Sequence, residues 1–402
     1  MSLLPVEDAI ARIVGDVSAP LGSEEVALGE AAGRTLARDL AARRSQPPFA
    51  ASAMDGYAVR AVDVARGLRL KVIGVAAAGH SFAGKVSEGE TVRIFTGAPV
   101  PEGADTVLIQ EDAEVVGEAT IMAQKPVASG RHIRRAGLDF ELGTTLLAAG
   151  TLLGPREVSL IASMGHAAVP VRRRPRVAII ATGDELVPPG TMPGPDQIIA
   201  SNAVAIAALA RDAGGEPFDL GIVGDTEDAI ADAVARASRL PADVLVTIGG
   251  ASVGDHDLVR DVLQANGMAL DFWRIAMRPG KPLMFGRLGD QKVLGLPGNP
   301  VSSFVCGLLF LRPLVAALLG RRYADPTEAA VLAADVAGND SRQDYVRATY
   351  RAHEAGVPSV IPLPVQDSAM VSVLTEANCL LIRPPHADAA RAGAPCRIIR
   401  LR

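Results

Sequence analysis

The stretch RVAIIATGDEL, residues 176–186, decides the fold, because an apolar run of strand length ends in a glycine and two carboxylates. Apolar residues at helical spacing follow in SNAVAIAALARDAGG, residues 201–215, and a second strand-like run follows in DLGIVGDT, residues 219–226. The pattern repeats in TEDAIADAVARASRL, residues 226–240, and in DVLVTIGG, residues 243–250. Strands that alternate with helices at this interval predict βαβ units and a doubly wound, parallel α/β sheet.

The flanking sequence predicts further domains around this sheet. Residues 1–44 have the spacing of a helix, a turn and a second helix, with Gly33 as the break. Short β-rich runs separated by Gly, Pro and acidic turns follow, and a helix is predicted around GPREVSLIASMG, residues 154–165. The predicted α/β multidomain chain therefore comprises a discontinuous helical and β domain (1–44 with 141–173), a β-rich module (45–140), the α/β domain (174–323) and a small C-terminal β domain (324–402).

Composition excludes some classes of partner and compartment. The chain has 45 acidic and 40 basic residues, a net charge of -5 and no basic block, so we expect no nucleic-acid partner. The three cysteines are widely separated, and the N-terminus lacks the basic start and apolar core of a secretory signal, which favours the cytoplasm. One apolar segment, residues 301–320, has the length of a membrane span, but Arg312 and Pro313 interrupt it. We expect a buried core helix and no membrane contact.

Polar residues follow each predicted strand of the α/β domain. Glu185 follows the first strand, Asp225 the second, and GGASVGDHD, residues 249–257, the third. Glycines at such turns let backbone N–H groups approach phosphate oxygens, and nearby carboxylates can hold Mg²⁺. A single glycine-rich turn is more often only a tight turn, and a single Asp before a helix is usually an N-cap. Three acidic loops at one sheet edge favour a phosphate and metal site.

Two further loops belong to the same domain. RPGKP, residues 278–282, sets two cations, Arg278 and Lys281, around a Pro-Gly turn, which suits an oxyanion as well as it suits an exposed turn with solvated charges. In GLPGNPVSS, residues 295–303, we expect Asn299 and Pro300 to be the N-cap and the first residue of a long apolar helix.

Six motifs in a fixed order carry a specific resemblance. They are SAMDGYAVR (52–60), IFTGAPVPEGAD (94–105), ATGDEL (181–186), GGASVGDHD (249–257), RPGKP (278–282) and GLPGNPVS (295–302). With these motifs the chain resembles MoeA-type molybdopterin molybdenumtransferases, the family that also includes the E domain of gephyrin, over about residues 1–400. The resemblance implies insertion of molybdate into the dithiolene of adenylylated molybdopterin, with Mg²⁺-dependent release of AMP. It also implies an elongated homodimer, a molybdopterin adenylyltransferase and molybdoenzyme maturation factors as partners, and a cleft shared between two subunits.

The resemblance also implies a role for individual residues of this chain. By position, the implied groups are the Mg²⁺ carboxylates Asp225 and Asp257; the phosphate contacts Gly249, Gly250 and Ser252; the pocket residues Glu185, Pro297 and Pro300; the residues Asp55, Thr96 and Asp139, presented by the β-rich module in trans; and the molybdate cluster Arg278, Lys281, Arg342 and Ser368.

The chain departs from the family pattern at three positions, and alternatives remain open. Arg278 replaces a lysine, Asp367 places an anion beside Ser368, and Ala200 stands where an acidic residue is common. A planar guanidinium is not equivalent to an ammonium point charge. The alternatives are a non-catalytic dimeric scaffold on the same architecture and a molybdopterin adenylyltransferase. Asp225, Asp257, Lys281 and the glycines of the phosphate loop argue against the first, and the β-rich module and the C-terminal domain argue against the second.

Overall fold

The computed structural model describes residues 3–250, 257–353 and 356–401. The chain forms two compact units. The larger unit comprises Met1–Glu24, Gly33–Ala37 and Val171–Arg402, and the smaller unit comprises Glu25–Ala32 and Arg38–Pro170. The four-domain division expected from the sequence stays a prediction.

A six-stranded sheet is the centre of the larger unit. Its first four strands are parallel and its last two are antiparallel. In spatial order the strands are Glu216–Val223, Arg176–Thr182, Val244–Ile248, Gln291–Leu296, Met284–Leu288 and Ala269–Trp273. The predicted parallel sheet is therefore confirmed for four of its six strands, and it ends in an antiparallel edge that the repeating pattern did not predict.

Alternate residues of the strand Arg176–Thr182 face two separate cores. Val177 and Ile179 pack among residues of the helices Asn202–Asp212 and Pro300–Leu318 on one face. Ala178 and Ile180 of the same strand pack against the helices Glu227–Arg239 and Leu258–Ala265 on the other face. Because side chains alternate across a strand, helices cover both faces and the doubly wound architecture is confirmed.

The predicted core helix continues through the residues expected to interrupt it. It spans Pro300–Leu318, it is apolar and long enough to cross a membrane by composition, and 78% of its apolar window is buried inside the fold, as in a core helix. Gly307–Leu311 forms a π-helical turn directly before Arg312 and Pro313. Proline cannot donate the usual i→i−4 hydrogen bond, and wider turns of this kind commonly accommodate the mismatch.

The C-terminal part of the larger unit is a second six-stranded sheet. The strand Gln343–Arg351 pairs with Cys379–Arg383 as well as with Ser359–Pro362, which gives the sheet a barrel-like closure. The remaining strands are Met277–Arg278, Thr327–Leu332 and Pro395–Arg400, and a short helix spans Val371–Glu376. Met277–Arg278 lies in the chain between two strands of the α/β sheet and pairs with Gln343–Arg351, so the two sheets meet at this point.

The smaller unit is β-rich, as the sequence predicts. Its main sheet has, in spatial order, Thr106–Ile109, Gly56–Val59, Glu90–Ile94, Arg69–Ala76, Thr120–Ala123 and Ala113–Gly117. Two small antiparallel pairs accompany it, Ala51–Ser52 with Ile133–Arg134 and Leu40–Ala41 with Thr145–Leu147. The predicted helix of this region is Pro155–Ser163, and it begins with proline at its first turn, where the missing N–H has no consequence.

The predicted second N-terminal helix is wrong. The first helix spans Val6–Gly15, but the following segment contains the strand Ser23–Ala27, a single 3₁₀ turn and the strand Leu40–Ala41. Leu36 forms an isolated antiparallel β-bridge with Val171, which is distant in sequence. These β-bridges to distant residues override the helix propensity of an Ala- and Leu-rich segment. The break at Gly33 is confirmed as a turn with φ of 76°. The last strand before the α/β sheet is Ala168–Arg172.

Candidate functional site

The first cavity of interest lies where the four parallel strands of the larger unit end. It has a volume of about 720 Å³. The loops that follow the parallel strands form much of its wall, because the carboxyl ends of parallel strands meet at one sheet edge. Six of the residues implied by the resemblance line it: Glu185, Asp225, Gly249, Gly250, Pro297 and Pro300.

One side of this cavity is apolar. Leu186 and Ile198–Ile199 line it, and the short strands Leu186–Val187 and Ile198–Ile199 pair in parallel there. Asn202 begins the next helix and donates a hydrogen bond from Nδ2 to the carbonyl of Gly298, with N and O 2.6 Å apart. An apolar wall opposite loops with polar groups suits a ligand that has a flat ring system and a charged end.

The two glycines after Val244–Ile248 leave bare backbone at the cavity. Gly249 and Gly250 have φ of 99° and 66°, a region that favours glycine. A Cβ on Gly249 would lie 2.5 Å from the carbonyl oxygen of Thr182, and a Cβ on Gly250 would lie 2.1 Å from Cγ2 of Val259. No side chain fits at either position, so the local packing requires glycine and keeps the backbone accessible.

Three carboxylates surround the second loop of the cavity. Oδ1 of Asp184 accepts a hydrogen bond from the backbone N–H of Asp225 at 3.0 Å. The pKa of Asp225 is raised, first because of desolvation and then because the negative charges of Asp184 and Glu185 oppose its ionisation. A nearby cation would favour the ionised form, because opposite charges lower the pKa of a carboxyl group.

Asp257 lies at the start of the helix Leu258–Ala265, and its side chain is almost completely buried, with 1% of its surface exposed. Its Oδ1 caps the helix by accepting a hydrogen bond from the N–H of Arg260 at 3.0 Å. Among the described residues, its Oδ2 has no hydrogen-bond partner, and burial raises the pKa of the carboxyl. Asp257 does not line the first cavity, and the predicted phosphate contact Ser252 lies outside the described residues.

Asp225 and Asp257 each offer a carboxylate oxygen of the type that binds a divalent cation such as the one that the resemblance implies. Mg²⁺ is typically held by one or two carboxylates together with water and substrate phosphate oxygens. Asp225 is surrounded by like charges, and Asp257 has a buried oxygen that lacks a partner in the described part of the chain. Over residues 3–250, 257–353 and 356–401, no group of three or more Asp, Glu, His or Cys side chains is arranged to hold a metal.

A second cavity adjoins the first. It has a volume of about 630 Å³, and Pro282, Asn299 and Ser302 line both. The structure brings the whole implied molybdate cluster to its wall: Arg278, Lys281, Arg342 and Ser368. The expected cations are therefore close to one another, and their cavity opens beside the strand-end cavity. We refer to it below as the cationic cavity.

Ser368 is fixed at the start of the core helix. Its hydroxyl oxygen accepts a hydrogen bond from Nδ2 of Asn299 at 3.0 Å, and its carbonyl accepts one from the N–H of Val301 at 3.0 Å. The hydroxyl proton is then free to be donated to an anion. Asn299 occupies the N-cap position as predicted, but its side chain binds Ser368 and does not cap the helix. The carboxylate of Asp367 accepts a hydrogen bond from the N–H of Ala369 at 2.8 Å.

Arg347 is a candidate site residue that the sequence reasoning missed. It lines the cationic cavity and is buried, with 2% of its surface exposed. One terminal nitrogen donates to the carbonyl of Asp367 at 3.3 Å, and Nε has no partner among the described residues. Burial lowers its pKa, but an arginine remains charged at neutral pH. The available signal was period-2 alternation, which places Arg347 on the same strand face as the buried Tyr345.

The three residues expected from the β-rich module lie in the smaller unit. Oδ1 of Asp55 accepts hydrogen bonds from both the backbone N–H and the hydroxyl of Thr96, each at 2.8 Å. These bonds lower the pKa of Asp55, so its carboxylate is stabilised in the charged form. Asp139 is exposed on another segment of this unit, and its N–H donates to the carbonyl of Gln46 at 2.9 Å. Their placement in trans stays a prediction.

Three family models match nearly the whole chain. Residues 4–165 match the MoeA N-terminal region (domain I and II), residues 178–317 match a probable molybdopterin binding domain, and residues 329–401 match the MoeA C-terminal region (domain IV).

Individual relatives are similar over their full length. The chain is 34% identical to a molybdopterin molybdenumtransferase of Haemophilus influenzae over 393 residues, which are 97% of each chain. It is 34% identical to the protein of that name in Bacillus subtilis, over 99% of this chain and 94% of the relative. Its structure is similar to that of the molybdopterin biosynthesis MoeA protein of Pyrococcus horikoshii, with a TM-score of 0.85, 29% identity and full coverage of both chains.

Proposed function

The chain belongs to the MoeA family, and we propose that it is a molybdopterin molybdenumtransferase, which inserts molybdate into adenylylated molybdopterin and releases AMP. The observation that carries this proposal is the adjacency of two chemically different cavities. One has bare glycine backbone and carboxylates at strand ends, and the other has four cations and a serine hydroxyl. A reaction between a nucleotide-bearing substrate and an oxyanion requires such neighbouring sites.

The strand-end cavity suits the adenylylated substrate. Backbone N–H groups at Gly249 and Gly250 can approach phosphate oxygens, because nothing but glycine fits there. The apolar wall at Leu186 and Ile198 can contact a ring system. These contacts would hold the phosphate end of the substrate beside the carboxylates and its other end toward the cationic cavity.

The cationic cavity suits molybdate. Molybdate is a tetrahedral dianion, and fixed cations and hydroxyls bind such ions through charge-assisted hydrogen bonds. Lys281, Arg347 and the hydroxyl of Ser368 offer these donors. Held there, the anion would meet the dithiolene of a substrate bound next to it, and orientation of two reactants in this way lowers the barrier to reaction.

Asp225 and Asp257 would hold Mg²⁺ during cleavage of the adenylate. When bound, the ion neutralises negative charge on the phosphoryl oxygens. Two hydrogen bonds of the protein fix the positions of these residues. Asp184 accepts one from the backbone N–H of Asp225, and Asp257 accepts one from the N–H of Arg260 at the start of its helix. Asp55, whose carboxylate is held by Thr96, would complete the site from a second subunit.

A catalytic role is favoured over a scaffold role. A scaffold does not need glycines whose backbone is exposed in a cavity, or a buried arginine such as Arg347, whose Nε has no hydrogen-bond partner among the described residues. The similarity to several enzymes of the same name supports the same choice.

We further propose a cytoplasmic homodimer that receives its substrate from a molybdopterin adenylyltransferase and passes its product to molybdoenzyme maturation factors. The three cysteines, Cys306, Cys379 and Cys396, are all free thiols, which is consistent with a reducing compartment.

Release of AMP from adenylylated molybdopterin tests the proposed reaction. The assay contains Mg²⁺ and compares reactions with and without molybdate. We expect molybdate-dependent AMP release from the native protein and a loss of about 100-fold or more in Asp225→Asn, because a charged ligand is replaced by a neutral amide.

Asp228→Asn is the matched control, because Asp228 is an exposed aspartate of the same segment that does not line the cavity. It should retain native activity. Absence of AMP release from a folded native protein that binds the adenylate would rule out the transferase proposal and leave a binding role.

A further inference from the structure

The four arginine and lysine side chains of the cationic cavity fall into two classes. Arg278 forms an ion pair with Asp344 through one terminal nitrogen, and its other terminal nitrogen lies 3.9 Å from Asp340. Arg342 donates to both oxygens of Asp340, at 3.3 and 2.7 Å, and these bonds lower the pKa of Asp340 to about 2. Both arginines thus already have carboxylate partners, and both ends of the Arg278 guanidinium face protein anions.

The other two cations, Lys281 and Arg347, have different surroundings. Within the described part of the chain, neither Lys281 nor Arg347 forms a side-chain ion pair, although both line the cavity. Arg347 is buried, and its Nε has no hydrogen-bond partner in the same part of the chain. A buried cation with an unused donor is stabilised when an anion enters beside it.

Strand pairing makes the Arg278–Asp344 pair a link between the two segments that carry Lys281 and Arg347, which both follow that pair in the same chain direction. Met277–Arg278 runs parallel to Gln343–Arg351, with Arg278 directly opposite Asp344. Lys281 follows Arg278 by three residues, and Arg347 follows Asp344 by three residues. The ion pair therefore connects the turn that carries Lys281 with the strand that carries Arg347.

The burial of Asp344 makes this connection specific. Its side chain is 8% exposed, and its Oδ1 is buried without a hydrogen-bond partner among the described residues. A carboxylate in such surroundings depends on the arginine it is directly paired with, because removal of a partner from a buried pair leaves an uncompensated charge. Arg278 cannot turn toward a ligand without leaving Asp344 in that condition.

We propose that Asp344 is a positioning residue: its ion pair with Arg278 fixes the separation of Lys281 and Arg347, and these two, not Arg278, bind the oxyanion. This inference rests on the proposed function and assigns the binding of molybdate to particular side chains. The resemblance implies that the residue at position 278 binds molybdate. In this chain that residue is Arg278, and both terminal nitrogens of its guanidinium already face carboxylates of the protein.

The two possible roles of Arg278 predict opposite effects of Asp344→Asn. If Arg278 is a ligand, neutralising Asp344 removes an anion that competes with molybdate, and binding becomes tighter. If Asp344 and Arg278 position the other cations, the same substitution releases the turn from the strand and weakens binding. We expect weakening of about ten-fold, within the range measured for residues coupled through a shared contact.

The experiment measures molybdate binding to the full-length protein by calorimetry. The variants are Asp344→Asn, Arg278→Met and the double variant, with Arg347→Met as the comparison for a direct ligand. We expect both single variants to weaken binding, the double variant to bind no worse than the weaker single, and Arg347→Met to lose about 10-fold or more. In turnover, KM for molybdate should rise in Asp344→Asn, while KM for adenylylated molybdopterin stays at its native value.

Tighter molybdate binding by Asp344→Asn, or fully additive losses in the double variant, would overturn the inference. A crystal of the native protein soaked in tungstate gives a second answer that does not depend on whether a variant folds. We expect the anion on Lys281 and Arg347 with Arg278 still on Asp344, and an anion held by Arg278 with that pair broken would refute the proposal. A native protein that binds neither molybdate nor tungstate would instead refute the proposed function itself.

Discussion

The carboxylate of Asp257 caps a helix and, in the proposed reaction, also holds Mg²⁺, and two substitutions can test these roles separately. Its Oδ1 caps the helix Leu258–Ala265, and its Oδ2 is buried with no partner in the described residues. Asp257→Asn keeps an oxygen that can cap the helix but removes the charge, whereas Asp257→Ala removes both. The two variants should therefore be equally inactive and unequally stable.

The structure sets the size of each effect. Loss of an N-cap side chain costs about 1 kcal/mol, and Asn caps as well as Asp, so only the alanine variant should lose this stabilisation. Loss of a carboxylate next to the helix N-terminus costs a few tenths of a kcal/mol, roughly, and relief of the buried charge offsets it in the asparagine variant. For AMP release, both variants should lose about 100-fold or more if Asp257 holds the ion.

The pH dependence of stability gives a further check. Burial raises the pKa of Asp257 in the folded state above 3.8, so the native protein loses stability as the pH rises through that raised pKa. Asp257→Asn has no such titration. Its free energy of unfolding relative to the native protein should therefore increase as the pH rises from below 3.8 toward neutrality.

Urea unfolding followed by circular dichroism, at acidic and at neutral pH, measures the free energy of unfolding of each variant. The AMP release assay measures the catalytic activity of each variant. Native-like AMP release by Asp257→Asn would refute the ligand role. Equal stability of the asparagine and alanine variants would refute the capping role. If the stability difference between Asp257→Asn and the native protein does not change with pH, burial does not raise the pKa of Asp257 as described.

Three further predictions concern other parts of the molecule. Gly250→Ala should lower stability by about 1–3 kcal/mol and weaken AMP binding measured by calorimetry, because φ is 66° and the new methyl group overlaps a valine; unchanged binding would contradict the need for glycine there. Asp16→Asn should cost about 1–2 kcal/mol at neutral pH, because hydrogen bonds from Arg287 and a neighbouring lysine outweigh burial and lower the pKa of Asp16. This cost should shrink in urea unfolding as the pH falls below 3.8, since a carboxyl with a lowered pKa loses its stabilisation on protonation, and a constant cost would disprove the ion-pair account. Mixing inactive Asp55→Asn with inactive Asp225→Asn should restore part of the AMP release if the two residues act across a dimer, and no recovery in confirmed mixed dimers would refute the placement in trans.

Much of the fold follows from local periodicity, and the errors follow from contacts distant in sequence. The alternation of strands and helices from Arg176 onward is a local signal, and it correctly predicts a sheet covered on both faces. The Ala-rich segment after Gly33 has an equally clear helical pattern, yet Leu40 pairs with Leu147 in a β-ladder. A sequence pattern gives the propensity of a segment, but it does not reveal the partner strand that overrides this propensity.

In the candidate site, too, the sequence predicts the local features, and the features that depend on distant contacts were missed. Motif spacing predicts which residues reach the strand ends, and Glu185 and Asp225 do line one cavity. Arg347 was missed because a charged residue in a β-strand is usually on the exposed side, and only the closed C-terminal sheet makes it buried. Its surroundings depend on how six strands pair, which no single segment specifies.

Arg278 shows why a motif can assign a position without assigning a role. RPGKP places two cations three residues apart, and the sequence treats them as equivalent. The structure makes them different, because the register between Met277–Arg278 and Gln343–Arg351 sets Asp344 opposite one of them and leaves Lys281 unpaired among the described residues. An arginine suits the paired position, since its planar fork directs one terminal nitrogen toward each of two carboxylates, whereas a lysine ammonium is a single point charge on a flexible stem. The exchange of lysine for arginine is therefore expected to shift position 278 from binding the anion to holding the residues that bind it.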